Sequence, residues 1–133
     1  MKRINEAVAF RKVFRQPIVG TIDNTDNNRS VWDLQLALIE EEFKEFFDAA
    51  DVMDDDCHNE GKRENLLKEL SDLVFVCYQF AAAFGLDLDE ALRRVYESNM
   101  SKLDEHGQVI YREDGKVMKG PNYRPPHLQA LIK

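Results

Sequence analysis

The 133-residue sequence predicts an all-α fold: a helical bundle of three long helices and a short N-terminal helix, completed by oligomerisation, with a small C-terminal hairpin or loop. Apolar residues recur at helical spacing in four successive segments. Turn-forming Gly, Pro, Asn and Asp interrupt them. The third segment is apolar nearly all round in its second half, so it needs cover on several sides, which implies a bundle and a subunit interface.

The elements follow in order. Ile4, Ala7, Val8, Phe10 and Val13 mark a short amphipathic helix, which Pro17 stops. Gly20 to Asn28, reading GTIDNTDNN, predicts a polar loop able to lie over a site. Ser30, with Asp33 three residues on, is a candidate N-cap for a long helix through Leu36, Ile39, Phe43, Phe46 and Ala50 toward Met53. After an acidic, Gly-containing stretch from Asp54 to Arg63, Leu66, Leu67, Leu70, Leu73, Val74, Cys77, Phe80, Ala81 and Phe84 predict the third helix, which Gly85 is placed to end. Asp87 and Glu90 resemble a capping box opening a fourth helix through Leu88, Ala91, Leu92, Val95 and Leu103. Beyond Gly107, apolar pairs flank Asp114-Gly115 and predict a small hairpin or structured loop.

Composition narrows the function classes. The 44% hydrophobic and 32% charged content is that of a folded chain, and the length fits one domain. Twenty-five acidic against 18 basic residues give a net charge of -7, which argues against the basic face that nucleic acid requires. No apolar run is long enough for a membrane span, and the amphipathic start MKRINEAVAFRKVF does not read as a signal peptide, so no membrane partner and a cytoplasmic location are expected. Cys57 and Cys77 lie in unlike settings, and no disulfide is expected between them.

Chemistry is carried by acids at fixed spacing. Glu42 and Glu45 are three apart on the second helix, and Glu69 and Asp72 three apart on the third, so each pair projects from one side of its helix. If those helices pack antiparallel, four carboxylates converge. Glu-rich helix surfaces are often simply solvated, but these acids adjoin Phe43, Phe46 and Leu73, at the border of the buried face. Converging acids there repel one another unless a cation joins them. An oxygen-only donor set suits Mg²⁺ or Mn²⁺, whereas a di-iron bundle would need Glu-x-x-His repeats. His58, His106 and His127 fall outside these helices and read as structural or exposed. Carboxylate-held Mg²⁺ suggests phosphoanhydride hydrolysis, for which Asn99 and Lys102, then Arg112, Lys116, Lys119 and Arg124, offer partners to the substrate. Lys102 is the strongest candidate of these. The four later residues read equally well as a solvated basic tail.

Glu41-Glu42-Phe43-Lys44-Glu45, then Glu69-Leu70-Ser71-Asp72, then Asn99-Met100-Ser101-Lys102, resemble the EExxE, ExxD and NxxK motifs of the MazG-like all-alpha NTP pyrophosphohydrolases. This superfamily includes phosphoribosyl-ATP pyrophosphohydrolase-like proteins and relatives of the dimeric dUTPases. The ending Asp114-Gly115-Lys116 through Tyr123-Arg124-Pro125-Pro126 is similar to bacterial and phage members, so the resemblance spans a single domain over residues 1–133. It implies a homodimer or homotetramer of helical bundles that hydrolyses a nucleoside triphosphate to monophosphate and pyrophosphate, in the cytoplasm, or the host cytoplasm for a phage protein. By position it implies Glu42, Glu45, Glu69 and Asp72 as Mg²⁺ ligands, with Mn²⁺ able to substitute. Glu41 is implied as the acid that orients or deprotonates water, Asn99 as an aid to metal or sugar binding, and Lys102 as a phosphate contact. Arg112, Lys116 and Lys119 match less sharply and are open to serving a neighbouring subunit's site.

These motifs read phosphates, not bases. Base choice falls to the N-terminal loop and its flank, where Asn24, Asn27, Asn28 and Trp32 are placed to hydrogen-bond or stack. Asp23 or Asp26 can accept from the N1 and N2 hydrogens of guanine, which favours dGTP or another purine dNTP over its nearest rival, dUTP. Trp32 reads equally as a core anchor at the helix start. From another class, a noncatalytic helical module would turn its acidic faces to a basic partner.

Overall fold

The computed structural model describes residues 2–132, which form four α-helices, one 3-10 turn at Gln129–Leu131 and, among the described residues, no strand. The chain divides into two compact units, Met1–Leu86 and Asp87–Lys133. No single helix among the described residues is long and apolar enough to cross a membrane.

The first unit holds α1 (Arg3–Val13), α2 (Asp26–Asp51) and α3 (Glu60–Phe84). Trp32, early in α2, meets Phe80 and Phe84, late in α3, at centroid distances of 5.1 and 5.6 Å. Further along α2, Glu42 meets Glu69 and Asp72, earlier in α3. Ascending positions on one helix therefore match descending positions on the other, which makes the pair antiparallel. Val31, Ala83 and Phe84 form its buried centre, against which Val19, Trp32, Phe80 and Leu86 pack.

The start of α2 departs from the sequence expectation. Asp26 to Asn28 are helical rather than loop, and the N-cap is Thr25, not Ser30. The Thr25 hydroxyl accepts from the Asn28 amide at 3.4 Å and donates to Asp23 at 2.7 Å. Asn28 is turned inward, and its Oδ1 accepts from the Asp23 amide at 3.4 Å. This polar cap lies more than one turn upstream of Ser30 and has no apolar periodicity to announce it. For the same reason α3 opens at Glu60, where the Asn59 side chain accepts from Lys62, inside the stretch expected to be loop.

Gly85 ends α3 as expected, at φ 69°, with its amide bonded to Ala81 O. A Cβ there would stand 2.6 Å from Gly20 O, so the close approach also demands glycine. The amides of Val19 and Gly20 donate to Ala83 O, which fastens the loop before α2 to the end of α3. A second tie starts at Arg11, buried on α1, whose Nε donates to Pro17 O at 2.9 Å and whose Nη1 donates to Gln79 Oε1 at 3.3 Å. Burial holds the Arg11 guanidinium below its ordinary pKa.

The apolar end of α3 is covered within the chain, since Tyr78, Ala81, Ala82, Ala83 and Phe84 are all buried. The uncovered apolar surface lies earlier, at Leu67 (64% exposed), Leu70 (42%) and Val74 (47%), a stripe on the side of α3 turned away from α2. Within the chain, α2 and the fastened loop thus cap the last two turns of α3, while the stripe before them stays open.

In the second unit, α4 (Leu88–Met100) opens on Asp87, whose side chain accepts from the Glu90 amide at 3.1 Å. It runs 13 residues, so it is the shortest of the three helices expected to be long, and it stops before Leu103. Tyr111 and Val117 form an isolated antiparallel bridge around Asp114-Gly115, with Gly115 at φ 88°, which is the small hairpin expected there. The Ser98 hydroxyl donates to Arg124 O at 2.6 Å and pins the Pro-rich ending to α4.

Candidate active site

Of the four acids expected to converge, three come together. One carboxylate oxygen from each of Glu42, Glu69 and Asp72 lies within 4.8 Å of the other two. The i, i+3 spacing turns each pair inward on its helix, and the antiparallel packing of α2 on α3 brings the pairs together. Glu45, exposed to solvent, lies near enough to Glu42 to act on its carboxyl. Partial burial, and then the hydrogen bond and charge of Glu45 and the charges of Asp72 and Glu69, push the Glu42 carboxyl above its ordinary pKa. Glu41 lies about 100° further round α2 and is exposed, off the converging face.

Two oxygens in the cluster, Glu42 Oε2 and Glu69 Oε2, are buried with no hydrogen-bond partner. A buried acceptor left unpaired costs roughly 1–3 kcal/mol, and more when charged, so two side by side need an explanation. A cation between them supplies one. The donors are all carboxylate oxygens, drawn from two rigid helices, and this set fits a hard divalent ion such as Mg²⁺ or Mn²⁺.

Sequence reasoning missed Lys68. Its ammonium bridges Asp72 Oδ2 at 2.8 Å and Glu69 Oε1 at 3.3 Å, and the bond to Asp72 above all pushes its pKa up to about 12. The signal was present, since Lys68 and Asp72 are an i, i+4 pair on a helix. Lys68 gives the cluster one positive charge from the solvent side but leaves the two buried oxygens unpaired.

Trp32 has two kinds of neighbour. Its ring packs edge-on against Phe80 and Phe84 as a core anchor, and it also walls a cavity of about 220 Å³ with Ile22, Asp23, Asn24 and Arg29. Asp23 Oδ1 accepts from the Thr25 amide at 2.9 Å and hydroxyl at 2.7 Å, and these bonds hold its pKa below the ordinary value. Asn28 is withdrawn into the cap described above, and Asp26 and Asn27 lie exposed in the first turn of α2.

The remaining candidates belong to the second unit. Asn99 is exposed in the last turn of α4, and its backbone O accepts from the half-buried Lys102. Arg112 is engaged by both oxygens of Asp114 within the hairpin turn, Lys116 is exposed, and the Lys119 ammonium sits 4.6 Å from the Tyr123 ring centroid. Arg112 and Lys119 therefore already have local partners, which the sequence did not signal. Arg124 lines a cavity of about 260 Å³ with Arg93 and Arg94, both tied to Glu90. His58, His106 and His127 are exposed, and both cysteines are free, as expected.

A carboxylate cluster between antiparallel helices in an all-α chain defines a class of helical metal-site proteins. Within it the chain belongs to the phosphoribosyl-ATP pyrophosphohydrolase family, whose profile matches residues 8–99 and so covers all five acids and Asn99. It is accordingly a pyrophosphohydrolase, an enzyme, which sets aside the noncatalytic-module alternative. Twenty-four solved chains are similar to it. One, provisionally described as an NTP pyrophosphohydrolase from Exiguobacterium sp. 255-15, is 25% identical over 96% of this chain and 91% of its own, with a TM-score of 0.46. No curated protein matches the chain.

Proposed function

We propose that this pyrophosphohydrolase is Mg²⁺-dependent and converts a nucleoside triphosphate to its monophosphate and pyrophosphate, with dGTP or another purine dNTP as the favoured substrate and dUTP as the rival. The observation that carries the metal is the pair of buried, partnerless oxygens on Glu42 and Glu69 within the three-acid cluster. Glu42, Glu45, Glu69 and Asp72 would hold the ion, and Mn²⁺ could replace it. Once bound, the ion polarises phosphoryl oxygens and offsets charge on the leaving pyrophosphate.

The chain's own groups divide the remaining work. Glu41, exposed on α2 beside Glu42, would accept a proton from the attacking water. Lys102 would contact phosphate and Asn99 the sugar or metal, while Arg112, Lys116 and Lys119 would add positive charge. Trp32 lies against the base. The exposed stripe of Leu67, Leu70 and Val74 supports a homodimer or homotetramer, because contiguous apolar surface of this kind marks an interface. With a nucleotide substrate, the acidic surface needs neither nucleic acid nor membrane, and the cytoplasm is its place.

The test is pyrophosphate release from a panel of dNTPs, NTPs and phosphoribosyl-ATP with Mg²⁺, Mn²⁺ or EDTA. Metal-dependent release from dGTP ahead of dUTP is expected. Equal release in EDTA would overturn the metal site, and release from phosphoribosyl-ATP alone would overturn the substrate class.

A further inference from the structure

Resting on the pyrophosphohydrolase reading and deepening it, we propose that the cavity beside Trp32 is a guanine pocket, in which Asp23 and Arg29 read adjacent edges of the base against the indole. Arg29 was not singled out by the motifs. It lies in the first turn of α2, and its guanidinium has no hydrogen bond or ion pair among the described residues, although the Asp23 carboxylate lines the same cavity. A free cation and a held anion lining one small cavity without pairing are complementary to a ligand that offers both acceptors and donors.

The base follows from elementary hydrogen-bond chemistry. Asp23 presents acceptors only, and with Oδ1 occupied by Thr25, its Oδ2 remains to meet the ligand. Guanine sets two donors side by side, N1–H and N2–H₂, so no lone pair of the base faces the carboxylate. Adenine and cytosine each place a ring-nitrogen lone pair beside their amino group, and uracil flanks its single N3–H with two carbonyls. Those bases all turn a lone pair toward Asp23. On the adjacent edge, guanine O6 and N7 are the acceptors that an arginine fork matches, while Trp32 offers stacking surface.

The placement suits a triphosphate. Trp32 and Glu42 are ten residues apart on α2, about 15 Å along its axis, and both face α3, so base and phosphates would lie along the same flank. The loop carrying Asp23 is fixed at its base by the bonds of Val19 and Gly20 to Ala83 O. The Asp23 side chain is fixed by Thr25, so the pocket is largely formed before ligand arrives.

Trp32 is the only tryptophan in the chain, so its fluorescence reports on the cavity directly. Full-length protein is titrated in EDTA with dGMP, dAMP, dCMP and dUMP, and kcat/KM is measured for the four matching triphosphates with Mg²⁺. Quenching by dGMP at lower concentration than by the other three is expected. Asp23→Asn, which keeps an acceptor for Thr25 but turns an amide donor toward guanine, should weaken dGMP by roughly 5- to 150-fold and leave dAMP within a few-fold. Arg29→Gln, at an exposed site without side-chain partners, should show the same base-selective loss and guards against a folding defect in the first variant. Equal quenching by all four bases, no quenching by any, or an undiminished dGMP preference in both variants overturns the pocket. Failure of the pyrophosphohydrolase reading looks different: no pyrophosphate from any triphosphate with either metal, whatever dGMP does to Trp32.

Discussion

Replacing Glu42 by Gln is expected to make the metal-free protein more stable while abolishing its response to metal. Two unit charges 4.8 Å apart, the limit of the cluster, repel by about 1 kcal/mol at the dielectric of water and about 3 kcal/mol at an effective value of ~20. Glu42 faces two such neighbours and Glu45 besides, but it is only partly buried and Lys68 offsets some of the charge, so the lower end applies. A net gain of about 1–2 kcal/mol should raise Tm by roughly 3–8 °C for a chain of this size. The glutamine Nε2 can also donate to Glu45, in place of the proton that Glu42 would share. The pH dependence has a definite sign. The folded-state pKa of Glu42 is raised, mainly by burial, so its neutral form is favourable at low pH and that contribution is lost as pH rises through the raised value. The advantage of the glutamine variant should therefore be full at pH ~8 and vanish below the ordinary glutamate pKa of about 4.3. Mg²⁺ at about 100 times its Kd should add about 2.7 kcal/mol to the wild type. Differential scanning calorimetry in EDTA and in Mg²⁺ measures both effects. A variant less stable than wild type in EDTA at pH ~8, or one that Mg²⁺ stabilises as strongly, would refute the electrostatic account.

Three further outcomes are expected. Glu45→Gln and Asp72→Asn should each lower kcat/KM by at least about 100-fold with helical circular dichroism unchanged, and normal turnover by either would sink the ligand assignment. Gly85→Ala places a Cβ 2.6 Å from Gly20 O at a backbone φ of 69°, and the left-handed conformation alone costs about 1–2 kcal/mol, so an unshifted urea midpoint would contradict the strap between loop and helix. Leu70→Glu combined with Val74→Glu should reduce the mass seen by sedimentation equilibrium to that of one chain, whereas an unchanged mass would place the subunit contact elsewhere.

What the sequence made legible followed from periodicity. The inward face of α2 and α3, the stop at Gly85 and the capping of α4 by Asp87 are all local patterns, and the structure keeps them. The convergence of the acids was legible because two i, i+3 pairs on adjacent helices have few places to point once the helices pack antiparallel. The beginnings of α2 and α3 were not legible, since Thr25 and Asn59 cap polar first turns in which no apolar residue marks the helix. Nor was the uncovered face of α3. An apolar helix shows how much cover it needs, but only the tertiary arrangement of α1, α2 and the loop decides which part receives it. Arg29 and Lys68 carry no motif in the sequence, and what sets them apart is respectively the lack of a partner beside Asp23 and the capture of two acids.

The acid cluster also bears on the order of events. Glu42, Glu45, Glu69 and Asp72 with Lys68 leave a strongly negative patch, and a triphosphate brought to it alone would meet repulsion from every acid within a Debye length of about 8–10 Å. Divalent charge must reach the patch before or with the nucleotide, so apparent nucleotide affinity should depend on free metal, whereas the affinity of a monophosphate seated mainly at Trp32, some 15 Å along the helix, should depend on it far less. Measuring the KM for dGTP and the Kd for dGMP across a Mg²⁺ series separates the two ends of the site. Parallel dependence on metal would mean that base and phosphate ends are not electrostatically distinct, and the extended placement along α2 would have to be abandoned.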